Sequence, residues 1–194
     1  MSSDVTPPRV IGPATLRPRA NPRPARLHWV ALMAVGAVLL EVAVMPYVNV
    51  AYGIPDLVAP TVVVVGLLRG RLVGAVTGFG AGLLLELTST VDTLGVLALL
   101  YLIVGAWCGR YCGREESTTL AAPLVLSVAA AFFVQLGYLM FQLLLGYHMP
   151  ASEFVGAVLL PTLALTALLS PPVLLVARRL LGAPRVVEPY GLSA

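Results

Sequence analysis

The chain has 194 residues, of which 59% are hydrophobic and only 11% are charged. A soluble domain carries about 25% charged residues, so these charges are too few to cover a water-facing surface. Disorder along the whole chain is excluded by the same composition, because disordered chains are polar and rich in charge. The apolar residues come in long runs, without the alternation of a membrane β-barrel, and therefore predict an all-α polytopic membrane bundle.

Residues 1–26 form a polar N-terminal segment. It holds six prolines and five of the 12 basic residues of the chain, all of which are arginine. Repeated proline stops helix propagation, so we expect a disordered cytoplasmic tail. The segment differs from a signal peptide, because no small-residue cleavage site follows the first apolar run. Residues 183–194 are predicted to form a second short cytoplasmic tail, which leaves a transmembrane domain over 27–182.

Six apolar runs follow in chain order, separated by short polar loops. The first has 20 residues and would measure about 30 Å as a helix, one hydrocarbon thickness. The second begins at a proline and is short, at about 21 Å. The sixth contains three prolines, which a membrane helix tolerates when its neighbours satisfy the freed carbonyls. The six predicted transmembrane helices are Leu27–Pro46, Pro55–Leu68, Leu72–Leu87, Leu94–Gly109, Leu120–Leu145 and Phe154–Leu181.

The second and third runs have an alternative arrangement, a re-entrant hairpin. In that hairpin Arg69 and Arg71, which separate the runs, would lie near the bilayer centre. An arginine there costs at least about 2.5–3.5 kcal/mol on insertion scales. Two spanning helices place both arginines at the interface and are therefore favoured.

All the arginines fall on one side of the six predicted spans. Five lie in residues 1–26, two between the second and third spans, two between the fourth and fifth, and three after the sixth. The three loops on the other side carry Asp56, Asp92, His148 and Glu153 but no arginine. By the positive-inside rule, both termini are predicted to be cytoplasmic.

A stripe of glycine follows one face of the third span. Gly74, Gly78 and Gly82 recur every four residues, and such positions stack on one side of a helix. This doubled GxxxG spacing lets another helix approach closely. Packing within the protein is favoured, and the alternative is a docking groove for a partner's helix or a ligand, with Phe79 and Leu83 beside the stripe.

Acidic residues gather toward the outer leaflet, at Glu41, Asp56, Glu86 and Asp92. No basic residue lies at that depth within a predicted helix, so a proton relay or a cation site is one hypothesis. For Asp56 and Glu86, at helix ends, a hydrated interfacial position is favoured. Asp56 also suits the first turn of the second span, where the helix dipole favours an anion. Glu41 lies deeper in the membrane and is the better functional candidate.

Two polar stripes run along the fifth and sixth spans. Their spacing places each set on one helical face. Such stripes join helices by hydrogen bonds of about 0.6–2 kcal/mol each, and the alternative is that they line a small substrate cavity. We favour the hydrogen-bonding role. The stripes are Gln135, Tyr138 and Gln142 in the fifth span, and Thr162, Thr166 and Ser170 in the sixth.

Catalytic and metal-binding signatures are absent from the sequence. It contains no H-E-x-x-H, G-x-S-x-G or G-x-x-x-x-G-K motif, and His28 and His148 stand apart. Cys108 and Cys112 lie four residues apart without a nearby histidine to complete a zinc site. We therefore expect no enzyme activity, no cofactor and no metal site.

Three short motifs surround the second, third and fourth spans: Pro-Asp-Leu at 55–57, Gly-Phe-Gly-Ala-Gly-Leu-Leu-Leu-Glu at 78–86, and Leu-Gly at 94–95. This arrangement resembles the MreD family, the rod shape-determining membrane proteins of bacteria, over about residues 27–180. The family has Asp at the position of Glu86, so this chain keeps the carboxylate but lengthens it by one methylene. The family pattern falls on Pro55, Asp56, Gly78, Phe79, Gly82, Leu83, Glu86 and Gly95.

The resemblance implies a non-enzymatic scaffold of the bacterial cell-elongation complex in the inner membrane, which supports cell shape and peptidoglycan synthesis. It implies a fold similar to the substrate-binding membrane subunits of energy-coupling-factor transporters. The implied partners are MreC, the MreB filament, RodA and a class B penicillin-binding transpeptidase, and nucleic acid is not among them. Two alternatives stay open: a vitamin-binding subunit of an energy-coupling-factor transporter, and a small proton- or cation-coupled transporter that uses Glu41 and Glu86.

Overall fold

The computed structural model describes residues 27–44, 47, 55–88, 95–112, 121–146 and 154–181. Within these ranges the chain forms helices and no strand, which confirms the all-α prediction. The two predicted tails lie outside the described residues. A 3₁₀ turn, Gly109–Tyr111, continues the fourth helix, and a π-helical turn, Phe154–Leu159, precedes the sixth. The helices are α1 (Leu27–Val44), α2 (Val58–Arg69), α3 (Arg71–Thr88), α4 (Val96–Cys108), α5 (Ala121–Leu144) and α6 (Leu160–Leu181).

Three helices of the described chain are long and apolar enough to cross a membrane. They are α3, α5 and the continuous helix Phe154–Leu181, which is α6 with its π-helical start. The apolar stretches Leu27–Ala43, Val58–Arg69 and Val96–Tyr111 are shorter. By length, the bundle therefore falls short of the six predicted spans. The fold is compatible with a membrane protein, and α2, at about 18 Å, covers little more than half of a hydrocarbon core.

Helix α2 lies at the centre of the bundle. Every residue in the stretch 58–67 is buried, and α2 contacts each of the other five helices. The sequence explains this position, because four consecutive valines at 62–65 leave the helix without a polar face. A helix that is apolar all round belongs in an interior. The backbone groups at its ends therefore need hydrogen-bond partners from the protein.

Helices α3 and α4 approach each other along the predicted glycine stripe. A methyl group at Gly74 would lie 2.5 Å from the carbonyl oxygen of Gly105. One at Gly82 would lie 2.7 Å from the Cα atom of Ala98. One at Gly78 would overlap the carbonyl group of the α4 residue facing it. These separations leave no room for a side chain, so the stripe packs against a helix of the same chain.

This packing decides between the two interpretations of the stripe. Helix α4 occupies the face that the docking alternative left for a partner's helix. The two residues beside the stripe differ, since Phe79 is exposed and Leu83 is half-buried. Gly80 lies off the stripe, and a methyl group there would meet no atom within 4 Å.

The described arginines lie at one end of the bundle, called here the arginine end. Arg69 donates a hydrogen bond from Nη2 to the carbonyl oxygen of Leu181 at 3.4 Å, which joins the ends of α2 and α6. The backbone of Arg71 lies against Gly109, which joins the start of α3 to the end of α4. The described arginines, which the sequence places on one side of the predicted spans, thus also lie at one end of the structure. The arginines at this end are Arg69, Arg71, Arg110, Arg178 and Arg179.

Gly78→Ala tests the α3–α4 contact. We expect a loss of about 3 kcal/mol in the free energy of unfolding, because the added methyl overlaps backbone that cannot rotate away. The measurement is an unfolding titration in mixed micelles. Gly80→Ala is the matched control on the same helix, and we expect it to add about 0.5–1 kcal/mol, since alanine favours a helix over glycine. Equal effects of the two substitutions would contradict the packing described here.

Candidate functional site

The N-terminus of α2 is a buried site capped by two carboxylates. The Oε2 atom of Glu41, on α1, accepts hydrogen bonds from the N–H groups of Leu57 and Val58 at 2.9 and 3.1 Å. The Oδ1 atom of Asp56 accepts one from the N–H group of Ala59 at 2.7 Å. The first N–H groups of a helix have no partner within it, so these acceptors supply what the fold would otherwise lack.

Asp56 joins α2 to two further helices. Its Oδ2 atom accepts a hydrogen bond from the hydroxyl group of Tyr101, on α4, at 2.8 Å. Its own N–H group donates to the Oγ1 atom of Thr166, on α6, at 3.2 Å. All these side chains are buried. We call Glu41, Asp56, Tyr101 and Thr166 the polar node, and through it α1, α2, α4 and α6 are held at one depth.

Tyr101 is the member of the polar node that the sequence analysis missed. It lies in an otherwise apolar stretch of α4, and its side chain is fully buried. A buried tyrosine hydroxyl usually has a hydrogen-bond partner. That rule would have predicted a polar partner for Tyr101, but it would not have named the residue, because Asp56 lies 45 positions away in the chain.

Glu86 forms a second carboxylate cap, at the start of α4. Its Oε2 atom accepts a hydrogen bond from the N–H group of Gly95 at 2.7 Å, and its Oε1 atom accepts one from Leu97 at 2.6 Å. Gly95 has a φ of 101°, a left-handed conformation that favours glycine. The two oxygens of one side chain therefore bridge two backbone donors and tie the end of α3 to the start of α4.

The two glutamate caps repeat one arrangement. Each glutamate ends a Leu-Leu-Glu sequence, at 39–41 in α1 and at 84–86 in α3. Each lies near the end of one helix and caps the shorter helix that follows it. The repeated Leu-Leu-Glu in the sequence corresponds to this arrangement, which the positions of the acids alone did not predict.

The structure corrects the expected surroundings of the acids. Asp56 and Glu86 were expected at a hydrated interface, yet they are only 4% and 3% exposed. The reason is that both carboxyl groups bond backbone N–H groups at the starts of α2 and α4, which holds them against the protein. Glu41 is 7% exposed and belongs to the same buried layer. Asp92 lies outside the described residues, as do His148 and Glu153 in the loop before α6.

The polar stripe of α6 faces the interior. Thr166 contacts Asp56, as described above, and the hydroxyl group of Ser170 donates to the carbonyl oxygen of Thr166 at 2.6 Å. Thr162 is fully buried, and its Oγ1 atom has no hydrogen-bond partner within the described chain. In this stripe, the predicted role in joining helices therefore falls to Thr166.

The polar stripe of α5 forms a hydrogen bond within its own helix. The side-chain nitrogen of Gln142 donates to the hydroxyl oxygen of Tyr138 at 2.9 Å. The Oε1 atom of Gln142 is buried and, among the residues described, has no partner. Gln135 is half-buried. The bond from Gln142 to Tyr138 stabilises α5 itself and does not join it to a neighbouring helix.

Three grooves are formed by the described helices. A groove of about 510 Å³ lies between α1 and α3, one of about 240 Å³ between α4 and α5, and one of about 210 Å³ where α2, α5 and α6 meet. Each is lined almost entirely by apolar side chains. The third also contains Ser127 and Ser170, whose hydroxyl groups donate to carbonyl oxygens of their own helices. These linings suit hydrocarbon better than a hydrophilic ligand.

The two cysteines are free thiols at the arginine end. Cys108 is buried in α4, and Cys112, which follows the 3₁₀ turn, is exposed. No cluster of three or more histidine, cysteine or acidic residues suited to a metal ion forms within the described ranges.

Comparison of the chain with protein-family models, with curated proteins and with solved structures finds no match. The resemblance to MreD therefore rests on the motifs between residues 55 and 95. The structure gives most of those positions a local role, as caps of α2 and α4 or as contacts between α3 and α4.

Substitutions of Glu41 separate its role as a hydrogen-bond acceptor from its charge. We expect Glu41→Ala to lower the free energy of unfolding by about 3 kcal/mol, because two buried N–H groups lose their acceptor. We expect Glu41→Gln to lose only about 1 kcal/mol, since its amide oxygen can accept the same bonds. Unfolding in mixed micelles measures both. If Gln were as damaging as Ala, the charge rather than the capping bonds would be the main contribution.

Proposed function

We propose that this protein is a non-enzymatic integral membrane scaffold of the MreD type in the bacterial cell-elongation complex. The supporting observation is that the motif residues serve the rigidity of the bundle. Asp56 and Glu86 cap the buried starts of α2 and α4, and Gly78 and Gly82 let α3 and α4 touch. Such a fixed block of helices suits a protein that holds others in a defined arrangement.

The hydrogen bonds of the acids favour the scaffold over a proton- or cation-coupled transporter. A transporting carboxylate must change partners during the cycle, whereas Glu41 and Glu86 each hold two backbone N–H groups at the start of a helix. Releasing either would leave buried donors without acceptors, at about 1–3 kcal/mol for each. Transport through these residues would thus work against the stability of the bundle.

The grooves favour the scaffold over a vitamin-binding transporter subunit. A small-molecule site usually combines an apolar cavity with a few convergent polar groups that orient the ligand. The α1–α3 groove has one polar lining residue, Thr77, and the α4–α5 groove has the buried thiol of Cys108. In the polar node, Asp56 is bonded to Tyr101 and Thr166, and Glu41 is bonded to the backbone N–H groups at the start of α2.

In this proposal the protein lies in the inner membrane with the arginine end toward the cytoplasm. Cysteine labelling tests this orientation in a variant whose Cys108 and Cys112 are replaced by serine. We expect an impermeant maleimide, added to cells with a permeable outer membrane, to label Ser152→Cys. Ser117→Cys is the matched position, and we expect labelling there only after the inner membrane is disrupted. The opposite pattern would overturn the orientation.

The proposed partners are MreC, the MreB filament, RodA and a class B penicillin-binding transpeptidase. Affinity purification from native membranes, followed by mass spectrometry, tests this set. We expect an MreC-like single-span protein and the elongation synthases to be enriched at least tenfold over the amounts recovered with a tagged control membrane protein of similar size. We also expect Glu41→Gln to leave that enrichment within about twofold, since it keeps the capping bonds.

Two results would contradict the scaffold. One is recovery of a bound vitamin together with a pair of coupling ATPases, which would indicate a transporter subunit. The other is cation-dependent uptake by reconstituted vesicles that disappears in Glu41→Gln, which would indicate a coupled transporter.

A further inference from the structure

The groove between α1 and α3 has a volume of about 510 Å³. Its lining runs from Leu27 and Leu72, at the arginine end, to Leu84 on α3. All lining side chains except Thr77 are apolar, and the lining includes the exposed Gly80, where an added Cβ atom would meet nothing within 4 Å. The groove is therefore open space between α1 and α3.

The length of the groove fits one leaflet of a bilayer. The 13 residues from Leu72 to Leu84 rise about 18 Å along α3. A hydrocarbon core is about 30 Å thick, so the groove extends a little beyond the midplane from the arginine end. This length matches one lipid tail of that leaflet.

The groove opens to the outside of the bundle along its length, where Ala31, Val35, Val76 and Gly80 are exposed. A lipid tail can therefore enter it from the side.

The mouth of the groove is positively charged. Helices α1 and α3 both begin there, and the first N–H groups of a helix attract anions. Arg71 is exposed and precedes Leu72. Arginine near a bilayer attracts anionic headgroups by about 1 kcal/mol for each residue. The charge at the mouth and the apolar slot behind it match the two parts of an anionic phospholipid.

We propose that the α1–α3 groove binds one anionic phospholipid of the cytoplasmic leaflet, with a tail along Gly80 and the headgroup at the starts of α1 and α3. This inference rests on the membrane orientation proposed above. It does not depend on the scaffold function, because a lipid fits the groove whichever partners the protein has.

Native mass spectrometry of the full chain in detergent, with phosphatidylglycerol or phosphatidylcholine added, tests the site. We expect the protein to retain one phosphatidylglycerol, at least threefold more than phosphatidylcholine. We expect Gly80→Leu to reduce that retention at least fivefold, because the leucine fills the slot without striking the protein. Gly36→Leu is the matched control, since Gly36 is exposed on α1, has equally open surroundings and does not line the groove.

Three outcomes would overturn the proposal: retention that Gly80→Leu leaves unchanged, equal retention of the two lipids, or equal losses in Gly80→Leu and Gly36→Leu. A fourth test adds a lipid with a photoactivatable acyl chain to the Val76→Cys variant. Cross-linking of that cysteine to another polypeptide or to residues 1–26, and not to the acyl chain, would also overturn the proposal. Failure of the orientation would appear separately in the cysteine labelling, and failure of the scaffold would appear in the affinity purification.

Discussion

The buried N-terminus of α2 is the constraint on which the rest of the bundle depends. A central helix of 12 residues is too short to reach both surfaces, so its first N–H groups lie where water cannot bond them. Glu41 on α1 and Asp56 before α2 provide the acceptors, and Tyr101 and Thr166 hold Asp56 in turn. The need to pair a few backbone donors thus holds four helices at a common depth.

The start of α4 needs capping in the same way, and the glycine stripe makes that cap possible. Glu86 can reach Gly95 and Leu97 because α3 and α4 lie in backbone contact. That contact depends on the glycine stripe, since a side chain at any of its positions would push the helices apart. Close packing and capping therefore support each other. The glycine stripe brings α4 within reach of Glu86, and the bonds of Glu86 fix the position of α4 along α3.

Two of the helices were predicted to within one residue at each end. The third run was expected at 72–87 and forms α3 over Arg71–Thr88, and the fifth was expected at 120–145 and forms α5 over Ala121–Leu144. Three of the six predicted spans are long enough to cross a membrane within the described chain. Hydropathy alone does not distinguish an apolar segment facing lipid from one surrounded by protein. The four valines of α2 are apolar because they are the core of the bundle.

The amino-acid sequence by itself determined the helical class, the sorting of arginine toward one end and the face on which α3 packs. Each of these follows from composition or from spacing within a single helix, which a linear pattern records directly. Only the tertiary structure decided what the acids do. Apart from the local bond between Ala59 and Asp56, their partners lie between 9 and 110 residues away in the chain. The sequence alone does not tell a carboxylate that binds an ion from one that caps a helix. The difference is made by the backbone groups that folding brings to it.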